Sequence, residues 1–256
     1  MIGTLDLSIG YKHGKKVHTV QENLNLHAQR GMMICLIGPN GCGKSTLLRT
    51  LCGLQDALSG EIQVQGKSLG AIPLSEKAKL FGLVLSDPVH LGYITVRQLV
   101  AMGRHPYTTF SGKLSAEDLQ CVDESMEVVH LQDFANRCIL ELSDGELQRA
   151  MIAKALAQDT PIILLDEPTS HLDLPNRVEI MLLLKKLAVE MQKCILISTH
   201  EIDLALHTSN NIWLMDSEKG VEVGAPKALI QNKSIQSVFH GESFGFDPDT
   251  GRIIIF

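Results

Sequence analysis

Eight residues decide the fold expected of this chain: Gly38-Pro39-Asn40-Gly41-Cys42-Gly43-Lys44-Ser45. They match the pattern GxxxxGK[ST], which lies between a buried strand and a helix in proteins that bind phosphate groups. The sequence supplies both neighbours, because the apolar run Met32–Ile37 precedes the loop and a helix-like segment, Lys44–Cys52, follows it. Glycines let successive backbone N–H groups turn toward phosphate oxygens, and a helix N-terminus adds the positive end of its dipole. The stretch predicts a phosphate-binding loop in which Lys44 reaches the β- and γ-phosphates and the Ser45 hydroxyl binds Mg²⁺.

The loop has two other interpretations. A glycine-rich turn between a strand and a helix needs no ligand, although the Lys-Ser pair at this spacing favours phosphate binding. A dinucleotide-binding loop fits less well, because the sequence does not contain GxGxxG and no acidic residue ends the next strand. The thiol of Cys42 lies beside the expected helix N-terminus, where a thiolate is favoured; the simpler interpretation is a small residue whose backbone alone matters.

A second motif combines a buried strand with two carboxylates. The apolar run Ile162–Leu165 is followed directly by Asp166 and Glu167. In a phosphate-loop protein, Asp166 would hold Mg²⁺ and Glu167 would accept a proton from an attacking water. Acidic residues also mark the exposed end of many buried strands. The two carboxylates therefore indicate a catalytic role only in combination with the phosphate loop.

A third motif, Leu142-Ser143-Asp144-Gly145-Glu146, has two interpretations. Ser143 and Glu146 form the S-x-x-E pattern of a helix capping box, and many helices begin in this way. The same geometry leaves exposed N–H groups at a helix N-terminus, which can bind an anion. Ser143 and Gly145 could thus complete the γ-phosphate site of a nucleotide held by another subunit.

Composition excludes several classes of function. The chain has 256 residues, of which 45% are hydrophobic and 20% charged, and its formal net charge is −6. An acidic chain is a poor candidate for binding nucleic acid. Its apolar runs stop at charges well short of the ~20 residues that span a bilayer, and Asp6 interrupts any N-terminal signal peptide. The six cysteines form no CxxC pair, so we expect reduced thiols and no zinc site.

The order of elements predicts an α/β fold. Alternating strands, Ile2–Tyr11 and Val20–His27, open the chain, and buried strands then alternate with helices. From about residue 86 to 140 the pattern becomes helical. We therefore expect a phosphate-loop nucleotide-binding core with a parallel sheet, N-terminal antiparallel strands and an inserted helical subdomain. The expected boundaries within the single domain 1–256 are 1–85 and 155–225 for the core, 86–154 for the helical subdomain and 226–256 for a C-terminal extension.

In order and spacing, the three motifs resemble those of the ATP-binding subunit of an ABC transporter, over nearly the whole chain. Leu142–Glu146 resembles the signature LSGGQ, with Asp and Glu at its third and fifth positions. The resemblance implies that the loop through Thr46 contacts ATP and that Ser170–Asp173 is the D-loop, with Asp173 at the nucleotide. It also implies that His200 contacts the γ-phosphate and that Tyr11, at the end of the first strand, lies against adenine.

Two stretches, Ile94–Tyr107 and Leu172–Ile180, are similar to importers of iron–siderophore complexes, haem and cobalamin. One position departs from the family: the glutamine expected after the strand Phe81–Leu85 is replaced by Ser86-Asp87-Pro88. Ser86 reaches less far than glutamine and would need a bridging water, and Asp87 would serve as an outer ligand of Mg²⁺. This departure bears on coupling to the transporter more than on nucleotide binding.

The family implies a head-to-tail homodimer in which Ser143, Gly145 and Glu146 of one chain complete the ATP site of the other. It also implies a separate membrane permease docked near Ser86–Tyr107, an indirect link to a substrate-binding protein, and a place on the cytoplasmic face of the bacterial inner membrane. The alternatives are a soluble ABC ATPase, for example of the iron–sulfur assembly type, and a nucleotide-sensing module without useful turnover. A phosphate-loop kinase or GTPase would not explain Leu142–Glu146 together with His200.

Overall fold

The structure is a computed structural model that describes residues 1–14, 16–85, 92–108, 112–239, 244–247 and 253–255. The strands within these ranges are β1 Ile2–His13, β2 Lys16–Leu24, β3 His27–Ala28, β4 Met33–Ile37, β5 Ser59–Val64, β6 Lys67–Ser68, β7 Phe81–Val84, β8 Ile162–Asp166, β9 Cys194–Ser198, β10 Asn211–Asp216, β11 Gly220–Gly224, β12 Phe244–Phe246 and β13 Ile253–Ile255. The α-helices are α1 Lys44–Leu51, α2 Leu74–Leu80, α3 Val96–Ala101, α4 Ala116–Val128, α5 Asp144–Ala157, α6 Leu174–Glu190, α7 Ile202–Thr208, α8 Pro226–Gln231 and α9 Ser234–Val238.

The chain divides into two compact units. The first contains Met1–Ile72 and Leu184–Phe256, and the second contains Pro73–Leu183, so that one boundary falls within α6. The domain boundaries expected from the sequence, at residues 86, 154 and 226, remain predictions.

The first unit contains two sheets. An antiparallel sheet has the strand order β2-β1-β5-β6, with β3 paired to β1. In the second sheet β4 lies between β10 and β9 and is parallel to both, and β11 pairs antiparallel with β10. Every residue of β4 and of β9 is buried, which is why their sequences are continuous apolar runs rather than alternating ones. Because β4 is central, its carboxyl end is where a ligand is expected to bind.

The second unit combines a parallel strand pair with helices. β7 and β8 pair in parallel from Phe81↔Ile162 to Val84↔Leu165. Helices α3, α4 and α5 pack against one another. A 3₁₀ segment, Met102–Tyr107, follows α3. The parallel α/β class, the antiparallel N-terminal strands and the helical segment agree with the fold expected from the sequence.

Several element bounds differ from expectation. Tyr11 does not end the first strand, because pairing of β1 with β2 continues to His13↔Lys16. Asp166 ends β8, as the sequence predicted, whereas Glu167 lies just after the strand. The strand β11 was not predicted from the sequence. Its residues are only partly buried and show little alternation of apolar and polar side chains, so the strand is defined by its pairing with β10.

Candidate nucleotide-binding site

The phosphate loop follows β4 directly and leads into α1. Gly43 has the left-handed conformation (φ 104°) at the N-cap of α1 and, as a glycine, supplies no capping side chain. The positive end of a helix dipole is a place where an anion is expected to bind. A Cβ on Gly43 would collide with Cγ1 of Val20, and one on Gly38 would collide with the carbonyl oxygen of Met215. Glycine is thus required at both positions by close approach of neighbouring strands.

Lys44 is 6% exposed. Its ammonium group donates to the carbonyl oxygens of Gly38 at 2.8 Å and Pro39 at 3.1 Å. The positive charge is therefore held inside the curl of the loop, where phosphate oxygens are expected. This arrangement agrees with the phosphate-binding role predicted for Lys44 from the sequence, and the role itself remains a prediction.

Cys42 is buried within the loop, and burial raises the pKa of its thiol despite the nearby Lys44 ammonium. Because a higher pKa disfavours the thiolate, the structure supports the interpretation of Cys42 as a small residue with an unreactive side chain. All six cysteines are free thiols.

Tyr11 lies next to the phosphate loop. Its ring is partly exposed, and its hydroxyl lies 2.7 Å from the hydroxyl of Thr46 in the first turn of α1. The resemblance predicted an aromatic ring against adenine at this position. The structure brings Tyr11 to the loop, and an adenine contact stays a prediction.

The segment after β9 brings His200 to the same sheet edge as the loop. The N–H of Thr199 donates to the carbonyl of Leu36, two residues before the phosphate loop, at 3.1 Å. The imidazole of His200 is half exposed, and its Nε2 lies 3.4 Å from a carboxylate oxygen of Glu201. The adjacent strands β4 and β9 therefore deliver the loop and His200 to one edge.

The second unit carries the two carboxylates. Asp166 is 3% exposed at the end of β8. Glu167 has a left-handed backbone (φ 50°), which is strained for a residue with a side chain. Its carbonyl oxygen accepts hydrogen bonds from the N–H of Ser170 at 3.1 Å and the hydroxyl of Ser170 at 2.9 Å. Strained backbone of this kind is concentrated at functional sites, which favours a role for Glu167.

Helix α5 begins with the capping box that the sequence indicated. The N–H and hydroxyl of Ser143 donate to Oε2 of Glu146 at 2.7 and 2.8 Å, and the N–H of Glu146 donates back at 3.4 Å. The hydrogen bonds from Ser143 lower the pKa of Glu146. Both interpretations of this motif therefore remain open, since a capped N-terminus still presents N–H groups of its first turn.

The start of α6 lies against the start of α5. Asp173 accepts hydrogen bonds at Oδ1 from the backbone N–H of Asn176 (3.2 Å) and from its side-chain amide (2.6 Å). A Cβ on Gly145 would lie 2.6 Å from Oδ1 of Asn176. The structure thus gives Asp173 a helix-capping role, and a nucleotide contact stays a prediction.

Ser86 and Asp87 lie outside the described residues. Sequence reasoning missed Gln21, which is 4% exposed on β2 and donates a hydrogen bond to the carbonyl of Cys42 in the phosphate loop at 3.1 Å. A glutamine in an alternating strand carries no signal that would distinguish it from a solvent-facing residue.

Comparisons with known proteins agree with this geometry. Residues 21–170 match the family described as ABC transporter. This chain belongs to the ABC transporter family of ATP-binding proteins. The petrobactin import ATP-binding protein FpuC of Bacillus anthracis is 35% identical to this ABC protein over 90% of the chain and 84% of its own length. The ferric enterobactin transport ATP-binding protein FepC of Escherichia coli K12 is 35% identical over 91% of the chain and 84% of its own length.

A solved structure gives the same fold. The dimeric ATP-binding cassette MJ0796, bound to ADP and phosphate in a post-hydrolysis state, matches this ABC protein with a TM-score of 0.74 and 28% identity. The match covers 88% of this chain and 99% of that one. The phosphate-loop nucleotide-binding fold expected from the sequence is confirmed. Among the described helices of this ABC protein, none has the length and apolar character needed to cross a bilayer.

Proposed function

We propose that this ABC protein hydrolyses ATP to drive an importer of an iron chelate, haem or cobalamin through a separate membrane permease. The observation that carries the proposal is the phosphate loop, in which the buried Lys44 ammonium is held by the Gly38 and Pro39 carbonyls at the N-terminus of α1. The petrobactin and ferric enterobactin relatives support the substrate class.

The phosphate loop would bind the phosphates of ATP. Phosphoryl transfer asks the protein mainly to position groups and to neutralise charge. In this proposal the loop N–H groups and Lys44 hold the β- and γ-phosphates, Thr46 contacts the nucleotide from α1, and Tyr11 stacks on adenine.

The donor set fits Mg²⁺. A serine hydroxyl and a carboxylate, together with phosphate oxygens, are the ligands that Mg²⁺ takes in nucleotide sites, and Asp166 offers a nearly buried carboxylate at the end of β8. Ser45 and Asp166 would hold the ion, which when bound neutralises charge on the phosphate oxygens. No group of three His, Cys, Asp or Glu residues in the described chain is arranged to hold a metal by itself.

Glu167 would act as the general base. It accepts a proton from the water that attacks the γ-phosphate, and the bond between the γ-phosphorus and the bridging oxygen breaks to give ADP and phosphate. His200 would contact the γ-phosphate through its exposed imidazole. The strained backbone of Glu167 supports this role, because such conformations persist where function requires them.

A homodimer would complete each site. The N-terminus of α5 in one subunit, with Ser143, Gly145 and Glu146, would face the nucleotide of the other subunit, and Asp173 would lie near it. The dimeric cassette MJ0796 supports this arrangement. The permease would dock near Ser86–Tyr107, with Ser86 and Asp87 coupling it to the site in place of glutamine. We place the working complex on the cytoplasmic face of the bacterial inner membrane, with an indirect link to a substrate-binding protein.

The test uses the full chain with Glu167→Gln. We expect the variant to bind ATP normally, to lose turnover by about 10²–10⁴-fold, the range typical of a general base, and to elute as a stable dimer when ATP is present. Glu190→Gln, which changes an exposed glutamate of α6, is the matched control and should keep wild-type turnover.

Normal turnover in Glu167→Gln would contradict the assignment of the base. Failure of the wild-type chain to hydrolyse ATP, both alone and with a permease that it binds, would contradict the function.

A further inference from the structure

The phosphate loop is held from outside by two consecutive residues of β2. Nε2 of Gln21 donates to the carbonyl oxygen of Cys42 at 3.1 Å and to the carbonyl oxygen of Asp216, at the end of β10, at 2.7 Å. Two acceptors on one nitrogen require the NH₂ group there, so the orientation of the amide follows from its partners. The preceding residue, Val20, touches Gly43 so closely that no side chain would fit there.

In a regular strand the side chains of two neighbouring residues point to opposite faces. The side chains of Val20 and Gln21 do not follow this alternation, because the pairing of β2 with β1 is irregular. Thr19 and Gln21 pair with the adjacent residues Gly10 and Ile9, so Val20 is an extra residue on β2. A second irregularity lies between the pairs Ile9↔Gln21 and Leu7↔Leu24. Bulges of this type redirect side chains, which explains how Val20 and Gln21 both reach the loop.

Gln21 fixes one peptide plane of the loop. The Cys42–Gly43 peptide is trans and planar, so a carbonyl that points toward Gln21 turns the Gly43 N–H in the opposite direction. Gly43 has no Cβ to resist rotation of this peptide, and the left-handed conformation it adopts is one of several open to glycine. The hydrogen bond from Gln21 therefore fixes the orientation of the Cys42–Gly43 peptide, which the backbone of Gly43 alone leaves free to rotate.

We propose that Gln21 is a positioning residue of the nucleotide site: its amide locks the Cys42–Gly43 peptide so that the Gly43 N–H is ready to bind a phosphate oxygen. The proposal rests on the proposed function of the loop. The second hydrogen bond of Gln21, to the carbonyl oxygen of Asp216, anchors the amide to the turn that follows β10. In that turn the Asp216 side chain accepts hydrogen bonds from the N–H groups of Glu218 and Lys219. If the loop has the binding conformation in only a fraction of molecules, the apparent Kd of the ligand equals the intrinsic Kd divided by that fraction.

The test measures the Kd values of ATP and ADP together with KM and kcat for hydrolysis in Gln21→Met, which keeps the length of the side chain and removes both donors. We expect both Kd values and KM to rise about tenfold, the factor that one hydrogen bond can supply, with kcat within twofold of wild type because bound ATP restores the loop. Gln21→Glu places a carboxylate against two carbonyl oxygens and should weaken binding further.

Asn210→Leu is the matched control. Its side-chain oxygen accepts the N–H of Met33 at 2.9 Å, at the opposite end of β4 from the loop. It should lower the melting temperature without changing the Kd of ATP. This comparison separates a loss of stability from a loss of loop orientation.

Wild-type Kd and KM in a folded Gln21→Met or Gln21→Glu protein would overturn the positioning role. An equal rise in Kd in Asn210→Leu would also overturn it, because the effect would then follow from stability. Failure of the wild-type chain to bind ATP would instead count against the proposed function of the whole site, and the two failures are therefore distinguishable.

Discussion

The phenol oxygen of Tyr11 lies 2.7 Å from Oγ1 of Thr46 and so joins the first hairpin to the first turn of α1. This contact holds the ring against the loop. Tyr11→Phe removes the hydrogen bond and keeps the ring, whereas Tyr11→Ala removes both. If the ring stacks on adenine as proposed, Tyr11→Phe should bind ATP within about twofold of wild type and Tyr11→Ala should bind about tenfold more weakly.

Equilibrium binding of ATP to the three proteins tests this expectation. Tyr93→Phe removes a hydroxyl from a fully exposed tyrosine of the second unit and serves as the control. A loss of affinity in Tyr11→Phe as large as that in Tyr11→Ala would mean that the hydroxyl acts in the bound state.

Lys44→Met removes the ammonium that donates to Gly38 and Pro39 while keeping the length of the stem. We expect ATP turnover to fall by at least about 10²-fold, because a positioned cation stabilises the charge of the transferred phosphoryl group. Lys67→Met, on the exposed strand β6, should leave turnover unchanged. If Lys44→Met hydrolyses ATP at the wild-type rate, the phosphate loop does not have the role in hydrolysis that we propose.

Gly145 and Asn176 form a testable packing pair at the start of α5 and α6. The methyl group of Gly145→Ala would lie 2.6 Å from Oδ1 of Asn176 and would push that side chain off Asp173, which caps α6. We expect a loss of about 1 kcal/mol of unfolding free energy, the typical net value of one hydrogen bond. Denaturant unfolding should show a smaller loss when the same change is made in Asn176→Ala; equal losses in both backgrounds would exclude the steric contact.

Asp118 on α4 predicts a pH dependence of stability. Hydrogen bonds from the backbone and hydroxyl of Ser115, and then from Arg104, lower the pKa of Asp118 from 3.8 to about 2. A carboxyl group whose pKa is lowered on folding stabilises the protein above its ordinary pKa, and that contribution is lost as the pH falls through the folded value. We therefore expect the melting temperature of wild type to exceed that of Asp118→Asn at pH 6.

The difference between the two melting temperatures should begin to shrink near pH 4 and should vanish near pH 2. Glu117→Gln changes an exposed carboxylate on the same helical turn and should show no such trend. A difference between wild type and Asp118→Asn that is constant from pH 6 to pH 2 would contradict the lowered pKa.

Local signals carried most of what could be predicted from the sequence. The continuous apolar runs that became β4 and β9, and the S-x-x-E pattern that became the cap of α5, each depend on residues close in the chain. Gln21 could not be predicted, because its importance comes from two register shifts between β1 and β2 and from a partner almost two hundred residues away. For the same reason the D-loop was recognised by its pattern, whereas the cap that Asp173 provides for α6 depends on side-chain orientation.

The backbone conformation of Glu167 has opposite consequences for folding stability and for ATP hydrolysis. Its left-handed conformation is one that glycine adopts without strain and that costs other residues about 1 kcal/mol or more. Glu167→Gly should therefore melt at a higher temperature than wild type while losing hydrolysis. Selection for folding stability alone would favour glycine at this position, so the glutamate costs stability that such selection would not give up.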